Sequence, residues 1–234
     1  MSNTPGLPNS FVGFHVRTGE MSEYDKVRAN FADEVRAVVN ELLSTSASID
    51  DVRAAHQHVA NAVTLLKQRQ HDDNFEGASE AAFAAIGSFL DRSPIIGAIN
   101  PLAVPMQIAT ELNDTGATIA IGRMTFSAAY EGPPGCVHGG FIAASFDEVL
   151  GVAQSISGNP GMTVNLTIDY RSPTPLHQPL VFRGEIERID GRKILTRGTL
   201  HHGNTLCAEA SGLFVSMRPE VFERLLKIRQ GQTR

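Results

Sequence analysis

The stretch YEGPPGCVHGGFIAASFDEVLG, Tyr130 to Gly151, constrains the fold more than any other part of the chain. A turn rich in proline and glycine runs into His138-Gly139-Gly140. Phe141, Ile142, Ala143, Ala144, Phe146, Val149 and Leu150 then cover nearly every face of a helix, and a helix that is apolar all round is a buried one. Two carboxylates, Asp147 and Glu148, sit in its middle. Burying a carboxylate without a partner is costly. Either these acids cap a loop or pair with an arginine, or one of them does chemistry.

The start of this helix has chemistry of its own. First-turn N–H groups lack intrahelical acceptors and lie at the positive end of the helix dipole. Gly139 and Gly140 leave those groups uncovered, so a ligand atom can approach closely. A carbonyl oxygen that becomes negative during acyl transfer is stabilised in such a place. His138 stands at its mouth as a donor or an orienting group. Asp147 follows His138 at a distance of about 13 Å along the axis, from the helical rise per residue. One helix therefore cannot bring both to the same carbonyl. If both are catalytic, two copies of the helix meet across a two-fold axis, and His138 and Gly140 of one chain face Asp147 of the other. That arrangement requires a dimer. Cys136 lies close enough to His138 in sequence to suggest a Cys–His nucleophile pair, but no third orienting group is identifiable, and a small buried thiol is the commoner use.

The rest of the chain changes character halfway. Val27, Phe31, Val35, Val38 and Leu42 recur at helical spacing. Ser48 followed by Asp51 predicts a capping box that opens a second helix carrying Val52, Val59, Val63 and Leu66. An alanine-rich third helix, ASEAAFAAIGSFLDR, gives way to the proline-broken SPIIGAINPLAVP. TGATIAIGRMTFSAAY reads as a strand. MTVNLTIDYRS alternates, with Met162, Val164, Leu166, Ile168 and Tyr170 on one face and Thr163, Asn165, Thr167, Asp169 and Arg171 on the other. Turns at Asp190-Gly191 and Gly203-Asn204 separate three further strands, and Pro219 starts a final helix. One strand, the buried helix, then four antiparallel strands make an α+β pattern with a long helix against a curved sheet.

A chain of 234 residues with 42% hydrophobic content sustains such a core. Its net charge is −5, and acidic side chains outnumber basic ones across residues 1–90, so no nucleic-acid partner is expected. The polar first residues lack the features of a signal peptide, and no apolar run approaches the roughly 18 residues of a membrane span. Cys136 and Cys207 fit neither a metal site nor a disulfide framework. A cytoplasmic protein without a metal is expected.

Three segments in register, CVHGGFIAASFDEVLG, MTVNLTIDYRSPTPL and GEIERIDGRKILTRGTLHHGNTLCAEASGLFV, resemble the hot-dog-fold acyl-CoA thioesterases. The branch they are most similar to contains the 4-hydroxybenzoyl-CoA and phenylacetyl-CoA thioesterases, and the likeness covers roughly residues 100 to 217. It implies an antiparallel sheet wrapped around the long helix, dimers or dimers of dimers, and coenzyme A as part of the substrate, with no other cofactor. It divides the chain into a helical extension (1–95), a hot-dog domain (96–218) and a C-terminal helix (219–234). By the resemblance, Gly140 supplies the N–H that polarises the thioester carbonyl, with Gly139 and His138 beside it. The family's acid lies nine residues after the histidine, which selects Asp147 over Glu148. The family's helper hydroxyl falls on Thr163. Arg171, Arg192 and Lys193, which lie beside turns, are the candidates for the phosphates of coenzyme A. Two other readings belong to the same fold: an enoyl-CoA hydratase, for which only Glu131 offers an acid ahead of His138, and a non-enzymatic acyl-CoA sensor.

Overall fold

A computed structural model describes residues 19–68, 88–159 and 161–216. Two long helices come first, α1 (Glu23–Ser44) and α2 (Ile49–Lys67), followed by the short α3 (Ser88–Arg92). Strands β1 (Gln107–Leu112) and β2 (Thr118–Met124) precede helix α4 (Gly139–Ser155). Strands β3 (Gly161–Tyr170), β4 (Leu180–Asp190), β5 (Lys193–His202) and β6 (Thr205–Ser216) follow. They form one antiparallel sheet in the order β1-β2-β4-β5-β6-β3. The expected final helix from Pro219 lies outside the described residues, as does most of the alanine-rich segment before α3.

Helix α4 is the centre of the core. Phe146, Val149, Leu150 and Ala153 are fully buried between it and the sheet. The Phe146 ring meets Phe182 of β4 edge-on, with centroids 5.1 Å apart. A Cβ on Gly184 would lie 3.1 Å from Val149 Cγ1 and 3.2 Å from the Val149 carbonyl oxygen, so the missing side chain lets β4 approach the helix closely. The end of α4 is tied to the next strand by the buried Gln154, whose Oε1 accepts the Gly161 N–H at 2.9 Å. The two hairpin turns form where their glycines allow, with φ of +56° at Gly191 and +54° at Gly203.

Three features differ from the pattern read in sequence. Strand β1 was missing from it. This short, half-exposed edge strand pairs with β2 around the Asn113 turn, where Gly116 takes a positive φ. The turn residues Asn113-Asp114-Thr115-Gly116 were the available signal. The second difference lies in β3. Its partners on β6 run Thr163↔Phe214 and then Asn165↔Leu213, so Val164 is an extra, bulged residue. The bulge shifts the alternation by one. Thr163 thereby joins Leu166, Ile168 and Tyr170 on the side facing α4, instead of lying opposite them.

The third difference concerns the extension. The first two expected helices form, and the Ser48–Asp51 capping box closes as predicted. Helix α1 docks through the buried Ala32 and through Arg36, which donates to the carbonyl oxygens of Asn100 at 2.8 Å and Ala98 at 3.1 Å. The apolar positions Val52, Val59, Val63 and Leu66 of α2 all remain exposed.

Replacement of Phe146 by alanine removes the ring that joins helix to sheet. It is expected to lower unfolding free energy by about 3–5 kcal/mol in denaturant titration, whereas Val59→Ala on α2 leaves it nearly unchanged.

Candidate active site

The proline- and glycine-rich segment before α4 is a closed loop. The Gly132 N–H donates to the Cys136 carbonyl at 2.9 Å, the Cys136 N–H to Pro133 at 2.8 Å, and the Gly135 N–H to the Glu131 carboxylate at 2.6 Å. His138 is then pinned through its own N–H to the Tyr130 carbonyl at 2.9 Å. Its backbone is extended, which makes it the residue that caps α4. Its Nδ1 accepts the Gly140 N–H at 3.0 Å. A ring nitrogen that accepts carries no proton, so the neutral imidazole keeps its hydrogen on Nε2. This corrects the picture of a bare helix start: the Gly140 N–H already has an acceptor. The carbonyl of Gly139 accepts a second long-range bond, from the Tyr170 hydroxyl at 2.7 Å.

Farther along α4 the two acids part company. Asp147 is half-buried, and its Oδ1 accepts from the Thr163 hydroxyl at 2.8 Å, an encounter that the β3 bulge makes possible. Glu148 turns the other way. It accepts from the Ser93 hydroxyl at 2.5 Å, and Ser93 Oγ in turn accepts the N–H groups of Ile95 and Ile96. Burial pushes the Glu148 carboxyl above its ordinary range; the Ser93 bond opposes this and the charge of Asp147 adds to it.

Two of the three candidate cations are already engaged. Arg171 donates to Glu209 at 2.7 Å and lies 3.4 Å from Asp169. Arg192 donates twice to the Ser216 carbonyl, at 3.0 and 2.7 Å. Lys193 sits opposite Asp190 at the base of the β4–β5 hairpin. A cavity of about 460 Å³ opens beside the start of α4, lined by Cys136, Val137, Gly139, Ile142, Tyr170 and Arg171 among others. Neither Asp147 nor Thr163 lines it. Within one chain, then, Gly139 borders the cavity and the Asp147–Thr163 pair does not. Sequence reasoning missed Ser93 and the role of Tyr170. Each meets its partner across a long stretch of chain, and no local spacing announces either contact.

Residues 134–209 match the model of the thioesterase superfamily. The crystal structure of a thioesterase superfamily protein is 30% identical and superposes with a TM-score of 0.67, covering 87% of this chain and 99% of that one. The chain belongs to the thioesterase superfamily. Its sheet wrapped on a single long helix is the hot-dog fold of that superfamily. Among curated relatives of this thioesterase-superfamily chain, acyl-coenzyme A thioesterase THEM4 of Xenopus laevis is 38% identical over 91 residues, which is 38% of this chain and 41% of the relative. Acyl-coenzyme A thioesterase THEM5 of Homo sapiens is 30% identical over 92 residues, 38% of this chain and 37% of the relative. The chain thus spans about 40% of the length of the curated relatives it matches. No helix among the described residues is long and apolar enough to cross a membrane.

The half-buried Glu148 gives a pH test. Because the folded protein holds this proton to higher pH than the unfolded chain, whose carboxyl titrates near 4.5, stability falls as pH rises from 4.5 through the folded-state value and then levels. Glu148→Gln keeps an acceptor for Ser93 and removes the charge. The variant is expected to be more stable than the wild type at neutral pH, with the difference shrinking as pH falls toward 4.5, read as denaturation midpoints across that range.

Proposed function

We propose that the protein hydrolyses an acyl-CoA to a carboxylic acid and free coenzyme A, in a site shared by two copies of the chain. The observation that carries this reading is the Asp147–Thr163 pair at 2.8 Å, on the same helix whose first turn sets Gly139 in a cavity wall with Gly140 next in sequence. The relatives' printed names support the substrate class.

The two groups are about 13 Å apart along one helix by the helical rise, so Asp147 serves the partner's glycine turn and the partner's own acid is returned in kind. Strand β3 supports the second copy. It is an edge of the sheet, and Met162 and Val164 stand 52% and 62% exposed on it. An apolar edge of that kind invites pairing with another strand. Joining two such edges carries the sheet from one subunit into the next and brings the two α4 helices together.

In the shared site the thioester carbonyl takes the Gly140 N–H from His138 Nδ1. Its oxygen gains charge at the positive end of α4, where that charge is stabilised. Asp147 attacks the carbonyl carbon directly, or takes a proton from the water that attacks. When water attacks, the C–S bond breaks and the proton taken by Asp147 goes to the departing thiolate. When Asp147 attacks, the C–S bond breaks to leave a mixed anhydride on Asp147, and the water that hydrolyses it frees the carboxylic acid and supplies the proton for the thiolate. Thr163 donates to Asp147 Oδ1 and so fixes which carboxylate oxygen faces the substrate. Arg171, Arg192 and Lys193 are assigned to the coenzyme A phosphates. Arg171 and Arg192 can reach them only by sharing or exchanging the contacts they make now. The hydratase reading loses support, since the Glu131 carboxylate is held by the Gly135 N–H in the loop.

Thiol release from a panel of acyl-CoAs tests the reading. Asp147→Asn is expected to lower kcat by about a hundredfold or more, and Thr163→Ala by about tenfold through loss of a hydrogen bond to a charged group. Full activity in Asp147→Asn sinks the assignment. Tight coenzyme A binding with no turnover on any substrate in the wild type supports a sensor instead.

A further inference from the structure

We propose that Tyr170 is a positioning residue for the carbonyl-binding N–H, a role that rests on the thioesterase reading above. The Gly139 carbonyl and the Gly140 N–H are the two ends of one peptide group, which is planar and moves as a unit. The Tyr170 hydroxyl donates to the carbonyl end at 2.7 Å. The N–H end points to His138 Nδ1 at 3.0 Å. A hydroxyl that holds one end of a rigid plane sets the direction of the other.

The contact is built rather than incidental. A Cβ on Gly139 would fall 2.9 Å from the Tyr170 hydroxyl oxygen and 3.1 Å from the ring carbon that bears it. Glycine is therefore needed at 139 for the ring to come this close. Tyr170 itself is the last residue of β3, paired with Ala208 of β6. The chain beyond it is held by the Arg171 and Ser172 N–H groups, which donate to the Cys207 carbonyl at 2.8 and 3.0 Å. The hydroxyl is thus delivered by a fixed strand end to the first turn of α4. Its acceptor also lies in the helix, where a carbonyl ordinarily takes the N–H four residues on. The hydroxyl is a second donor to it. A bond to the carbonyl polarises the amide and makes its N–H a stronger donor. Tyr170 and Gly139 both line the 460 Å³ cavity, so the clamped peptide forms part of its wall.

His138 accepts the Gly140 N–H, and Tyr170 keeps that N–H aimed when the imidazole gives it up to substrate. The hydroxyl need not touch the thioester to matter.

Tyr170→Phe removes the hydroxyl and keeps the ring, at a residue that is 54% exposed and tolerates the change without unfolding. With an acyl-CoA that the wild type hydrolyses, kcat is expected to fall about three- to tenfold, the scale of one net hydrogen bond, with KM within about twofold. In the same variant, hydrogen exchange at the Gly140 amide is expected to quicken, while amides in the middle of α4 keep wild-type rates. Unchanged kcat, or an effect confined to KM, overturns the proposal. If the wild type hydrolyses no acyl-CoA, the thioesterase reading fails by itself. Gly140 exchange in Tyr170→Phe then still decides the clamp: faster exchange upholds it and an unchanged rate overturns it.

Discussion

Asp147 rides on a helix whose following residues, Val149 to Ala153, are buried against the sheet. The position of its carboxylate is therefore set by core packing, and the rest of the site must come to it. The β3 strand does so by a single irregularity. With regular alternation Thr163 would face away from α4; with Val164 bulged, its hydroxyl meets Asp147. The same strand ends at Tyr170, against the first turn of the same helix. One edge strand thus touches both the carboxylate and the glycine turn of α4. It is also the strand that carries exposed apolar side chains where a second copy would join.

Much of this was legible in the amino-acid order. The apolar run from Phe141 to Leu150 announced a buried helix, and His138 marked its start. The turns at Gly191 and Gly203 placed the last three strands, because their positive φ suits glycine. The choice of Asp147 over Glu148 and the naming of Thr163 came from family likeness. In the structure Asp147 meets Thr163, and Glu148 is turned toward Ser93. What stayed hidden depends on contacts between distant segments. A bulge adds one residue without changing composition, so period-two alternation put Thr163 on the wrong face. The occupied Gly140 N–H was equally out of reach, because it depends on the ring orientation of His138.

The helical extension is joined to the site's own helix. Arg36 of α1 grips the carbonyls of Ala98 and Asn100, and a few residues earlier Ser93 grips Glu148, the neighbour of Asp147. Ile96 and Ile99 of the intervening segment are buried. Residues before the part matched by the family model therefore back the middle of α4. The polar contact at Glu148 carries a desolvation cost that an apolar side chain would not.

Sharing of the site between two subunits is the claim on which the mechanism turns, and subunit mixing tests it most directly. Asp147→Asn and His138→Ala chains, each impaired alone, are unfolded together, refolded and assayed for thiol release. In every mixed dimer one site would unite an intact His138 with an intact Asp147, so the mixture should recover about a quarter of wild-type activity from random pairing. Activity no higher than the mean of the two parents, with mixed dimers demonstrated by mass, would contradict the shared site.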